Sequence, residues 1–179
     1  GDDVLFDSWG NNQLSGDAGD DYAHVFSGDN TLDGGAGNDT LIGGRNDDTL
    51  IGGAGNDVLI GDGTGRSPIS DDRLIAGKGL DLLQGGLDND VFVFRPGDGD
   101  NIIATFQSLF GSYQAIGADF DVHFDQLELA GFGFQNADEA IAAFDDVNGN
   151  ATFEAQGTVI QLYGVSLAML TTDIIILET

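Results

Sequence analysis

The sequence predicts an all-β chain: a right-handed parallel β-roll, or two-sheet solenoid, followed by a mixed, mostly β cap containing a short helix. Three observations predict it. Glycine and aspartate recur every nine residues through the first half, each repeat ends in a short apolar run, and the period stops near Phe94.

The repeat is clearest from Gly34 to Ile60, where Gly-Gly-x-(Gly/Asn)-x-Asp-x-Leu-Ile occurs in consecutive copies. Extended both ways, the sixth position reads Asp3, Asn12, Asp21, Asn30, Asp39, Asp48, Asp57, Asp72, Asp81 and Asp90. The eighth reads Leu5, Leu14, Ala23, Leu32, Leu41, Leu50, Leu59, Leu74, Leu83 and Phe92. An isolated Gly-Asp is an ordinary solvated turn; copies held in register along half a chain are not. The frame requires Gly61 to Ile75 to be one repeat carrying an insertion near 65–70. Pro68 lies in it, which suits a surface loop and not a strand interior.

Within a repeat, glycines at positions two and four permit a tight six-residue turn. The last three residues, such as Thr40-Leu41-Ile42, make a strand whose middle side chain points inward. Two repeats complete one turn of coil, so loops of alternate repeats stack on one edge, about 4.8 Å apart. That brings Asp39 beside Asp21 and Asp57 on one edge, and Asp48 between Asn30 and Asp72 on the other.

Composition points the same way. Acidic residues number 31 against 5 basic ones, a net charge of −26, and all but Glu128, Glu139, Glu154 and Glu178 are the shorter Asp. So few cations exclude nucleic-acid binding by phosphate neutralisation. Stacked carboxylates repel unless a cation lies between them, and hard oxygen ligands with turn carbonyls favour Ca²⁺. Cysteine is absent, no apolar run is long enough for a membrane span, and no signal peptide is visible. The repeat is already under way at Gly1, so the chain reads as part of a longer protein.

These residues resemble the RTX family of calcium-binding nonapeptide repeats, over roughly residues 1–94. The resemblance implies that each Ca²⁺ lies between two loops, with the sixth-position aspartate of both and carbonyls from positions one to four. One site would then use Gly35, Gly37 and Asp39 with Gly52, Ala54 and Asp57, and its neighbour Asp17, Gly19 and Asp21 with Gly34, Ala36 and Asp39. Further turn positions carried over are Gly16, Ala18, Gly43, Gly44, Gly53 and Gly55, with Asp3, Asp48, Asp72, Asp81 and Asp90 as sixth-position ligands. Asp98 and Asp100 fall where such rolls complete their last sites. Asn12 and Asn30 are neutral, weaker ligands, so the stronger ladder is expected along Asp21, Asp39, Asp57 and Asp81. About five to eight ions are expected in all.

Residues 95–179 read as a capping region, since a stacked coil exposes an apolar end. Strands are expected over 125–129, 158–162 and 174–177. A short helix capped by Asn136 is expected to run on through Ala140-Ile141-Ala142-Ala143-Phe144. The ending from Leu170 is similar to the uncleaved signals of type I secretion substrates. No nucleophile motif is present, and His123 reads as a strand residue rather than a base, so the chain is not expected to be an enzyme. The expected role is a calcium-dependent folding module for a secreted, extracellular protein, with the type I secretion apparatus as partner. The alternative is a calcium-dependent attachment module for extracellular polysaccharide.

Overall fold

The computed structural model describes residues 1–62, 70–109, 112–117, 120 and 125–177, of which 105–109 and 112–117 as backbone. Most of the insertion, His123 and the last two residues lie outside the described residues. In the repeat region each apolar run forms a strand: β1 (Val4–Asp7), β2 (Gln13–Ser15), β3 (Tyr22–Val25), β4 (Thr31–Ala36), β5 (Thr40–Gly44), β6 (Thr49–Ala54), β7 (Val58–Asp62), β8 (Arg73–Gln84) and β9 (Val91–Phe94). They coil alternately into two parallel ladders. One runs β1-β3-β5-β7 and the other β2-β4-β6. Thr40 pairs with Val58 and Thr31 with Thr49, an eighteen-residue step, so one turn of coil is two repeats. Across the insertion Thr49 pairs with Arg73 and Val58 with Leu82. The register therefore carries across the insertion.

β8 is long because it belongs to both ladders: Arg73–Ile75 pairs with β6 and β9, while Leu82–Gln84 pairs with β7. The eighth-position side chains Leu32, Leu41, Leu50, Leu59, Leu74, Leu83 and Phe92 are completely buried between the two sheets. Each such side chain contributes about 1.5–3 kcal/mol of burial, which is the thin core's main internal support.

The nonapeptide pattern ends at Phe94, but the parallel ladders run past it. β10 (Gly99–Ile103) pairs with β8, and β13 (Gln126–Leu129) pairs with β9. Between them β11 (Thr105–Leu109) and β12 (Ser112–Gly117) make an antiparallel hairpin. Helix α1 (Ala137–Ile141) follows, then β14 (Phe144–Val147), β15 (Asn150–Ala155) and β16 (Thr158–Leu162), and a last β17 (Ile175–Ile176) that pairs with β13. β16 adds in parallel to β10, while β15 and β14 turn back antiparallel. Residues 95–179 thus lengthen the coil before closing it.

The closure is aromatic. Phe132, Phe144 and Phe153 pack together, with Phe132 edge-on to Phe153 at 5.1 Å. Asn136 caps α1 by accepting from the Glu139 N–H at 2.9 Å, as its position predicts. The helix stops at Ile141, earlier than the sequence suggests, because Phe144 is drawn into β14 opposite Phe153. The expected final strand is likewise short: Thr172–Ile174 is a turn of 3₁₀ helix that delivers Ile174 and Ile175 into the core.

Candidate metal centre

Along each edge the sixth-position residues form a hydrogen-bonded ladder. On the first edge Asp3 N–H donates to Asp21 Oδ1 (2.7 Å), Asp21 to Asp39 (2.7 Å), Asp39 to Asp57 (2.9 Å) and Asp57 to Asp81 (2.9 Å). On the second edge Asn12 donates to Asn30 (3.0 Å), Asn30 to Asp48 (2.8 Å), Asp48 to Asp72 (2.8 Å), Asp72 to Asp90 (2.9 Å) and Asp90 to Asp125 (3.0 Å). One carboxylate oxygen is therefore committed to the neighbouring backbone. The other is not: Oδ2 of Asp21, Asp39, Asp48, Asp57, Asp72 and Asp81 is buried without a hydrogen-bond partner.

A buried, unpaired carboxylate oxygen is costly, and six in two columns mark a structure that fits a cation. Burial pushes the carboxyl of Asp72 up to about 8, those of Asp48 and Asp81 to about 7 and that of Asp57 to about 6. Asp39 is raised as well, first by burial and further by its neighbours Asp21, Asp20 and Asp33.

The turn glycines serve two separate needs. At positions two and four they adopt positive φ, as at Gly35 (100°) and Gly37 (141°), which aims successive carbonyls along the edge. Asp17, Asn46 and Asp88, which replace glycine there, take the same left-handed region at 65°, 73° and 82°. At position one the need is space. A Cβ on Gly52 would stand 2.6 Å from Asp57 Oδ2, and one on Gly43 would stand 2.6 Å from Asp48 Oδ2. Gly16, Gly34, Gly61 and Gly85 abut the carboxylates of Asp21, Asp39, Asp72 and Asp90 in the same way. Among the described residues no three acidic or imidazole side chains converge on one point. An ion here would be held by two carboxylates and by turn carbonyls, the mixed oxygen set that suits Ca²⁺.

Two sequence expectations shift. Asp100 is exposed and one residue off the ladder; Asn101, completely buried and in register with Asp81, takes the sixth position. Asp98 is buried, but its side chain accepts from the Arg95 N–H at 2.6 Å and its carbonyl from the Gly79 N–H at 2.8 Å, so it holds a turn position and does not supply a sixth-position carboxylate. Sequence reasoning missed Asp125, which is buried and extends the second ladder beyond Asp90. Its signal was present: Asp125-Gln126-Leu127 repeats the Asp-x-apolar spacing, hidden by the intervening hairpin. With Asp125 the second edge carries Asp48, Asp72, Asp90 and Asp125, so the edges differ less in strength than in where their aspartates begin.

Two parallel ladders joined by glycine turns, with columns of half-paired buried aspartates, define a cation-binding parallel β-roll. A family model for the RTX calcium-binding nonapeptide repeat matches residues 1–23, 24–63 and 69–103, more than half of the sequence. The chain belongs to the RTX calcium-binding nonapeptide-repeat family, and its aspartate turns are calcium-binding repeats. Among solved structures it is similar to the extracellular lipase LipA from Serratia marcescens, at 16% identity and a TM-score of 0.44. That alignment covers 94% of this chain but 38% of the lipase chain. No curated protein matches the chain.

Proposed function

We propose that this chain is a calcium-dependent folding module that lets a larger protein leave the cell unfolded and become rigid outside it. The carrying observation is the column of buried Oδ2 atoms without partners on Asp21, Asp39, Asp57 and Asp81, matched by Asp48 and Asp72 on the other edge. Without a cation these oxygens oppose folding; with one they support it. A chain at −26 with a core one leucine thick has little else to overcome its own repulsion. Extracellular calcium modules bind at roughly 10⁻⁴–10⁻³ M, so such a chain stays open where calcium is scarce and closes where it is abundant.

In this reading the module is secreted through a type I apparatus and has no catalytic role of its own. No described helix is long and apolar enough to cross a membrane. The segment from Leu170 serves twice, as export signal and, through Ile174 and Ile175, as part of the folded cap. Far-ultraviolet circular dichroism during a calcium titration tests the proposal: β signal grows with calcium and is lost on adding chelator. A full β spectrum in excess chelator overturns it. Attachment to extracellular polysaccharide is the weaker reading: among the described residues the exposed aromatics of the roll, Phe6, Trp9 and Phe26, are confined to its first repeats, and the cap adds Tyr163 alone.

A further inference from the structure

We infer that Asn12 and Asn30 are built-in replacements for calcium, so that the N-terminal part of the second edge is held by side chains instead of ions. The inference rests on the aspartate turns being calcium sites. In those turns Oδ1 accepts a backbone N–H from the turn before, and Oδ2 is the oxygen left for the metal. Asn30 Oδ1 accepts the Asn12 N–H in the same manner, at 3.0 Å, which fixes the amide's orientation. Its Nδ2 therefore stands where an aspartate has Oδ2. From there it donates to Gly28 O at 2.5 Å and to Asp48 Oδ1 at 2.9 Å. Gly28 O is the fourth-position carbonyl of that turn, and Asp48 belongs to the next turn along the edge. The amide thus brings positive N–H dipoles to the carbonyl and carboxylate that a cation would bridge. Asn12 repeats the in-turn part of this arrangement one turn earlier, with Nδ2 donating to the fourth-position Gly10 O at 2.9 Å.

Two independent features agree. The aspartate turns from Asp21 to Asp90 open on glycine or, at Ala76, alanine, leaving room for the second carboxylate oxygen. The asparagine turns open instead on Asp7 and on Val25, whose side chain is buried in the core. The outside of the same gaps is bridged as well. Trp9, Phe26 and Arg45 come from the Asn12, Asn30 and Asp48 turns in succession. Trp9 stands edge-on to Phe26 at 5.6 Å, and the Arg45 guanidinium lies over Phe26 at 5.4 Å. A fixed cation on this stack further disfavours a divalent ion in the adjoining gap.

Counting bound calcium by native mass spectrometry on the full chain tests this. Asn30→Ala should keep the wild-type number of ions while lowering the thermal midpoint in saturating calcium. The double change Val25→Gly with Asn30→Asp should bind one ion more. Loss of one ion in Asn30→Ala overturns the inference, and so does a double variant that binds the wild-type number more tightly. If the double variant does not fold, the Asn30→Ala count decides alone. A wild-type chain that binds no calcium overturns the parent reading instead.

Discussion

The backbone N–H of Asp39 donates to Asp57 Oδ1 at 2.9 Å, while Asp57 Oδ2 is buried with nothing to accept from. One carboxylate thereby does two jobs. Its first oxygen sets the stacking of adjacent turns, and its second waits for a metal. Truncating Asp57 removes both functions. Asp57→Ala should leave the Asp39 N–H unsatisfied, at about 1–3 kcal/mol, and should abolish at least one calcium site. Asp57→Asn should keep the stacking bond and weaken calcium by about tenfold or more. Calorimetric titration of both variants checks this; equal behaviour of the two contradicts the division of roles.

Gly52 has no backbone need for glycine, since its φ is not positive, yet a Cβ there would crowd Asp57 Oδ2 and the Ala76 carbonyl. Gly52→Ala should therefore destabilise the calcium-loaded roll by about 1–3 kcal/mol through overpacking. The readout is chemical denaturation in saturating calcium. A neutral Gly52→Ala shows that the turn has slack at position one.

The pH response should change sign with calcium. Burial raises Asp48, Asp57, Asp72 and Asp81 from the ordinary 3.8 to about 7, 6, 8 and 7. A raised carboxyl means that the metal-free fold holds protons which the unfolded chain releases. That contribution is fully present below about pH 3.8 and is lost as pH rises through 6 to 8. Calcium takes the ionised form, so its binding strengthens over the same window and expels protons. In chelator, whatever β signal persists at low pH should fall as pH rises across that window, while in calcium the thermal midpoint should rise with pH. Two curves of the same slope rule this out.

Arg73 and Glu128 join β8 to β13 by an ion pair of 2.8 Å, with Glu128 nearly buried and Arg73 partly exposed. Removing the arginine strands a buried charge, whereas neutralising the glutamate does not. Arg73→Met should cost about 1–2 kcal/mol after allowance for solvent at Arg73, and Glu128→Gln less. Urea unfolding of the two variants in calcium gives the order; the reverse order refutes it.

The sequence by itself determined the roll. A nine-residue period fixes which side chain faces inward and which carboxylates stack, because a parallel strand alternates strictly and the turn length is constant. Leu32, Leu41 and Leu50, and the Asp21-Asp39-Asp57 column, lie where the period places them. The insertion near 65–70 leaves the pairing unchanged on either side of it, Thr49 with Arg73 and Val58 with Leu82. Tertiary structure decided what the period does not encode. Asn101 and Asp125 join the ladders only because β10 and β13 continue the two sheets; Asn101 falls outside the nine-residue frame, and the hairpin ahead of Asp125 removes any fixed spacing there. It also decided what the amides of Asn12 and Asn30 do. In sequence they are weak ligands; in space their Nδ2 atoms face carbonyl oxygen, and a donor aimed at an acceptor leaves no demand for a cation.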